Sequence, residues 1–271
     1  MKMTEEEIKK KYTQIFYDDF EGNELDITKW ERCPEWERQE QMKNHGWWNE
    51  GCSYVKDGNL ILECKQESDG RLISGAVRSI SKDGSKIMFK EAKGLYEIKF
   101  KVDKGSGFWY AFWLFADNDE SHVSGSAQNA AELDFFEILP GNSPWKYNGV
   151  NGNEPGRLMT TIHWDAYGTA HKMKGTDGIK VTDKDNNFYD NWHIYQFEWN
   201  DDNYKCYLDG NLLWVMSGKD YGNGICEAPG YIKISAEFGE WGGPVDSVIQ
   251  AGGSRKMYVD YVKVYKKRIS D

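Results

Sequence analysis

Ala131-Glu132-Leu133-Asp134-Phe135-Phe136-Glu137-Ile138-Leu139 sets three carboxylates inside an otherwise apolar run. A strand covered on both faces is normally close to uniformly apolar, so charge within one needs a reason. On a β-strand alternate side chains share a face. Glu132 and Asp134 therefore point one way, while Leu133 and Phe135 point the other, into a core. Glu137 falls out of step with that alternation. A β-bulge at Phe135–Phe136 would insert one extra residue and return Glu137 to the acidic face, and bulges are frequent beside active sites. The spacing predicts that bulge.

Acids gathered on one face suit the cleavage of a glycosidic bond. That reaction uses a carboxylate and a carboxylic acid flanking the sugar linkage, held roughly 5–5.5 Å apart in a retaining enzyme. Glu132 and Glu137 would lean together across Asp134. Crowded like charges keep at least one proton at neutral pH. Glu137 would then stay protonated as the acid and Glu132 would ionise as the nucleophile, with Asp134 hydrogen-bonded between them. A solvated acidic edge strand or a cation site would use the same residues.

The totals narrow the classes. A chain of 271 residues fits one large all-β domain or two small ones. Aromatics form 15% of it, including 12 Trp and 16 Tyr, which suits stacking on sugar rings; β-sandwiches also use many of both. A formal charge of −10 argues against nucleic acid and mildly against sulfated polysaccharides. Only a local basic groove would escape that reasoning. The five cysteines, Cys33, Cys52, Cys64, Cys206 and Cys226, form no CxxC pair and are odd in number, so no disulfide framework is implied. No apolar span suggests a membrane partner, and the start, Met1 to Glu7, lacks the apolar core of a signal peptide. The chain is expected to be either cytoplasmic or a mature segment whose leader was removed.

Thr4 and Glu7 have capping-box spacing, with Glu–Lys pairs four apart behind them, which predicts a short exposed helix. From Ile15 the texture becomes β. Residues 31–50 read as a polar loop pinned by Trp36, Trp47 and Trp48 or wrapped round one end of a groove. Asp57-Gly58 and Asp209-Gly210 read as hairpin turns. Gly94 to Val102 alternates as a half-buried strand. Phe108 to Phe115 is apolar on both faces; Trp109 and Trp113, or their even-numbered neighbours, would line a groove unless the strand lies in a closed core. Residues 141–156, carrying Trp145 and Tyr147, read as a specificity loop. Thr160 to Trp164 is a strand bearing His163, and a lone strand histidine is more often structural than catalytic. Further strands fall at Trp192–Trp199, Tyr204–Leu208, Leu212–Val215, Tyr231–Phe238 and Met257–Tyr265.

Many short strands, no long amphipathic helix and no repeat predict an all-β antiparallel sandwich. The expected organisation is a helical extension over 1–15, one domain over 16–267 and a tail over 268–271. HExxH, GxSxG, GxGxxG and Walker A motifs are absent, which takes most of the support from zinc peptidase, serine hydrolase and nucleotide-binding readings.

At this point the sequence resembles glycoside hydrolase family 16, the laminarinase, lichenase and agarase clan. Glu132-Leu133-Asp134-Phe135-Phe136-Glu137 resembles its bulged ExDxxE motif. Gly94-Leu-Tyr-Glu-Ile-Lys and Gly107-Phe-Trp-Tyr-Ala-Phe-Trp-Leu resemble the two strands before it. Trp192 to Trp199, Tyr207-Leu-Asp-Gly and Met257 to Tyr265 resemble later strands in the same order. The resemblance implies a concanavalin-like β-jelly-roll of two antiparallel sheets with a concave substrate cleft. It implies Glu132 as nucleophile, Asp134 as assisting acid and Glu137 as general acid/base of a retaining endo-glycosidase.

Substrate contacts are expected from Trp109, Trp113, Trp145, His163, Trp164, Trp48 and Trp241. No cofactor is expected for catalysis. The resemblance implies a structural calcium on the convex side, held by Asp260, Gly58 and the Asp18–Asp19 region, with Asp19 as the candidate; oxygen ligands suit that ion. It also implies a polysaccharide partner, a monomer and an extracellular address. A Trp-Pro-type segment expected before the motif is replaced by Gly125 to Ala131, Tyr110 stands where proline is common, and Ile162 to Gly168 resembles a less familiar branch. The expected polymer is a β-1,3 or mixed β-1,3/1,4-glucan. A β-galactan, agar-type or host glycan on the same fold, a transglycosylase, and a non-catalytic lectin-like module stand as alternatives.

Overall fold

The computed structural model describes residues 3–116, 126–140, 146–147, 150–151, 157–165, 167, 169–176, 179–180, 188–189, 191–221 and 224–268. Two sheets pack face to face, of eleven and eight strands among the described residues. In the eight-stranded sheet the order is Lys172–Gly175, Arg157–Trp164, Glu132–Leu139, Phe108–Phe115, Tyr231–Phe238, Ala76–Arg78 and Glu31–Arg32, with Ile179–Lys180 also on Arg157–Trp164. The acidic strand Glu132–Leu139 thus lies between the histidine strand Arg157–Trp164 and the aromatic strand Phe108–Phe115. At the centre of the eleven-stranded sheet Gly94–Val102 lies between His193–Trp199 and the long strand Ser254–Lys267.

The core forms where the inner faces meet. Phe108, Tyr110, Phe112 and Leu114 are fully buried in it, so the even positions of the aromatic strand face inward and the odd positions face the site. Phe135 stacks on Phe197 at 4.3 Å, and Phe136 meets Phe100 at 4.8 Å. These contacts tie the acidic strand to the opposite sheet, and truncating either ring would cost about 3–5 kcal/mol.

The turns follow their chemistry. Asp57 and Gly58 have φ of 52° and 70°, and Asp209 and Gly210 have 50° and 74°, the paired positive values of a type I′ hairpin. Helix Glu5–Lys11 carries the expected capping box and buries Ile8 with Tyr12, Leu95 and Tyr207. The first strand starts at Tyr12 and pairs with the last through Tyr12↔Lys267.

Three expectations change. Residues 31–50 are not simply a loop: Glu31–Arg32 joins the eight-stranded sheet, while Trp36–Arg38 and Gly46–Trp48 extend the other. Gly46–Trp48 runs parallel to Leu72–Ser74, so the sandwich is not wholly antiparallel. Gly94–Val102 is buried beyond the expected half, because Glu97 is covered and accepts from Gln196 Nε2 at 2.6 Å.

Candidate active site

The bulge lies at the predicted place. Asp134 pairs with Thr161 and Glu137 with Met159, so Phe135 and Phe136 together oppose Thr160. On the other side the register skips Phe135, passing from Phe136↔Phe112 to Asp134↔Trp113. Leu133, Phe135, Phe136 and Ile138 all enter the core, and the extra core residue returns Glu137 to the face of Glu132 and Asp134. Thr160 Oγ1 donates to the Phe135 carbonyl at 2.8 Å, and the Tyr195 hydroxyl donates to the same oxygen. The bulge carbonyl is thereby satisfied inside the core, where an orphaned one would cost about 1–3 kcal/mol.

A cleft of about 310 Å³ opens over the three acids. Its walls are Trp109, Met159, Thr161, His163 and Met173 from the strands, with Gln39, Met42 and Trp241 from the loops. Burial, then the charge of Asp134, pushes the Glu132 carboxyl up from 4.5 to about 7, against the pull of His163, Tyr167 and Lys233. Burial, then Asp134, Glu132 and Glu237, pushes Glu137 well above its ordinary value, while the Trp109 indole opposes this. His163 Nε2 lies 3.1 Å from Asp134 Oδ2. Burial alone would lower the imidazole, but its bond to Asp134 and the charges of Asp134 and Glu132 outweigh that and raise it. Ligand-capable atoms of Glu132, Asp134 and His163 all lie within 4.8 Å of one another.

The structure sorts the other expected residues. Trp109 and Trp241 meet edge to face at 5.1 Å and form an aromatic wall beside Glu137, and His163 belongs to the same cleft. Trp113 is on the correct face but only 6% exposed; its Nε1 donates to Ser235 Oγ at 3.0 Å and Lys233 lies over its ring at 4.5 Å. Trp164 is a correction, because strand alternation that turns His163 outward turns Trp164 into the core. Trp48 is a second correction: it is fully buried, with the Arg38 guanidinium 4.1 Å and the Lys233 ammonium 5.4 Å from its ring centre. It supports those cations and offers no open face to a sugar. Trp145 lies outside the described residues.

Several site residues were not among those expected to touch substrate, although Tyr167 lies in the Ile162–Gly168 stretch. Glu237 is buried opposite Trp109 and bridged to Arg38 at 3.2 Å. Tyr167 donates its hydroxyl to Glu132 Oε2, and His171 Nε2 sits 2.9 Å from His163 Nδ1. Around the expected calcium residues, burial first, then Asp19, Asp260 and Glu21, raises the Tyr17 phenol. A Cβ at Gly58 would meet the Glu21 carboxylate at 3.7 Å. Asp260 Oδ2 also bonds Lys99 Nζ at 2.8 Å, so one donor already carries a cation.

A bulged acidic strand facing an aromatic-walled cleft on a jelly roll defines a protein of the glycoside-hydrolase type. The family model described as "Beta-porphyranase A-D, GH16 domain" matches residues 11–267. The chain belongs to glycoside hydrolase family 16. It is 25% identical over 278 residues to the glucan endo-1,3-beta-glucosidase A1 of Niallia circulans, covering 94% of this chain and 38% of that protein. The chain thus spans well under half of that relative's length. It is 26% identical to beta-porphyranase E of Zobellia galactanivorans, covering 93% of this chain and 86% of that one. The Bacteroides ovatus mixed-linkage glucan GH16 protein, solved with a G4G4G3G product, superposes with a TM-score of 0.71 at 20% identity, over 92% of this chain and 99% of that one. That likeness bears on the fold.

Proposed function

We propose that the protein is an endo-acting, retaining β-glycoside hydrolase working by double displacement. The observation that carries this reading is the Phe135–Phe136 bulge, which brings Glu132, Asp134 and Glu137 onto one cleft face. Glu137, held protonated, gives its proton to the leaving oxygen while Glu132 attacks the anomeric carbon. Glu137 then takes a proton from water, which releases the sugar from Glu132. Asp134, bonded to the raised His163, lies between them and its charge keeps the Glu137 proton in place. Trp109 and Trp241 give the sugar an apolar wall.

A β-1,3 or mixed β-1,3/1,4-glucan is the first substrate reading, in line with the Niallia and Bacteroides relatives. A β-galactan is the second, favoured by the porphyranase-type match and by the Gly125–Ala131 segment that lacks a Trp-Pro. Reducing-sugar release from laminarin, mixed-linkage glucan, agarose, porphyran and mucin-type glycans separates them. Glu132→Gln and Glu137→Gln should each keep the fold and lose about 10³-fold or more in kcat. Near-normal turnover in either variant would remove the assignment, and binding without release across the panel would favour a lectin.

We likewise propose a structural calcium. Asp260, Asp19 and the Gly58 carbonyl would hold it, and it would tie the first and last strands to the Asp57–Gly58 hairpin without entering the reaction.

A further inference from the structure

We infer that Tyr167 is the positioning residue of the nucleophile: its hydroxyl holds Glu132 Oε2, which leaves Oε1 as the attacking oxygen. This rests on the reading of Glu132 as nucleophile. Tyr167 comes from the connection between the histidine strand and Lys172–Gly175. That connection is closed at its base by the pairs His163↔Met173 and Trp164↔Lys172. Asp165 turns the chain in the left-handed region at φ 61°, and its carboxylate is bridged to Lys172. His171 returns over His163, with ring centres 5.1 Å apart and planes 14° apart, and the Tyr167 ring rests 5.6 Å from His171. The phenol is thus carried on a histidine that is fixed through His163 to Asp134.

Groups from every neighbouring element face Glu132. Asp134 shares its strand, His163 and Tyr167 come from the histidine strand and its loop, Lys233 from Tyr231–Phe238, and Arg38 from Trp36–Arg38. Arg38 is bridged to Glu237, and Lys233 is caged by Trp113 and Phe115. Tyr167 contributes a direct donor to one named oxygen.

The consequence falls on both chemical steps. In the first, an Oε1 lone pair forms the bond to the anomeric carbon, and the glycosidic pair leaves with the oxygen that takes the Glu137 proton. Oε2 becomes an ester carbonyl, a weaker acceptor than a carboxylate. In the second step water bonds to that carbon, its proton passes to Glu137, and the C–Oε1 pair returns to Glu132. Charge reappears on Oε2 at the moment Tyr167 is in place to receive it, so the phenol favours release of the sugar.

Tyr167→Phe keeps the ring on His171 and removes the donor. Expected are a fall of about tenfold or more in kcat, a smaller change in KM, and an acid limb of kcat/KM displaced upward by about one pH unit. A purely structural role would change Tm or KM and leave the acid limb in place. Should Tyr167→Phe fold poorly, His171→Ala leaves the hydroxyl but removes its support and should move the limb in the same direction. An unmoved limb and unchanged kcat in the folded variants, with Glu132→Gln inactive, overturns the inference alone. An active Glu132→Gln overturns the nucleophile reading and the inference with it.

Discussion

At the scale of single residues the site is governed by two carboxyls pushed to different degrees. Glu132 is raised to about 7 and Glu137 well beyond its usual range, each by burial first and by neighbouring acids second. Double displacement needs Glu132 ionised and Glu137 protonated, and the order of the two shifts provides that pair between them. The pH profile of kcat/KM should therefore be a bell. Its acid limb lies near 7 as Glu132 loses its proton, and it declines at higher pH as Glu137 does. The limbs belong to the coupled group and not to one carboxyl, since Asp134 acts on both. Rates measured from about pH 4 to 10 decide it, and an optimum at about 4–5 would mean that neither carboxyl is raised in the working enzyme.

At the scale of elements, the acidic strand was legible and the parts that surround it were not. A period of two with one residue too many is written in Glu132, Asp134 and Glu137, so the bulge could be placed from spacing alone. Trp48 and Trp164 show the limit. An indole reads the same whether it faces a cleft or a core, and only strand register and the Arg38 stack decide. Contacts such as Arg38 with Glu237, 199 positions apart, or Tyr167 with Glu132, 35 apart, leave no local pattern to read. The calcium proposal is testable at this scale, because the ion would join three elements. Adding calcium to EDTA-treated protein should raise Tm by a few degrees, and Lys99→Ala should enlarge the response by freeing Asp260 from its ammonium. A Tm indifferent to calcium in both proteins would sink the proposal.

At the scale of the whole molecule, the catalytic face is a cost carried by the rest of the fold. The sandwich fixes Phe135 and Phe136 against the opposite sheet, and that packing holds three acids together which would separate in the unfolded chain. Glu132 and Glu137 both bind protons more tightly folded than unfolded. From the ordinary value of 4.5 upward the native state therefore holds the extra protons, and stability falls with rising pH. Their contribution is fully present below 4.5 and is lost for Glu132 as pH passes about 7, and for Glu137 at higher pH. Glu137→Gln removes a group that must ionise beside Asp134, Glu132 and Glu237. The variant should match the parent in Tm at about pH 4.5 and exceed it at about pH 9, by roughly 2–4 °C for each kcal/mol of strain relieved. Melting curves of both proteins across that range test it. Equal Tm values at alkaline pH would show that the acids ionise without cost, and with them would go the physical reason for Glu137 to keep its proton.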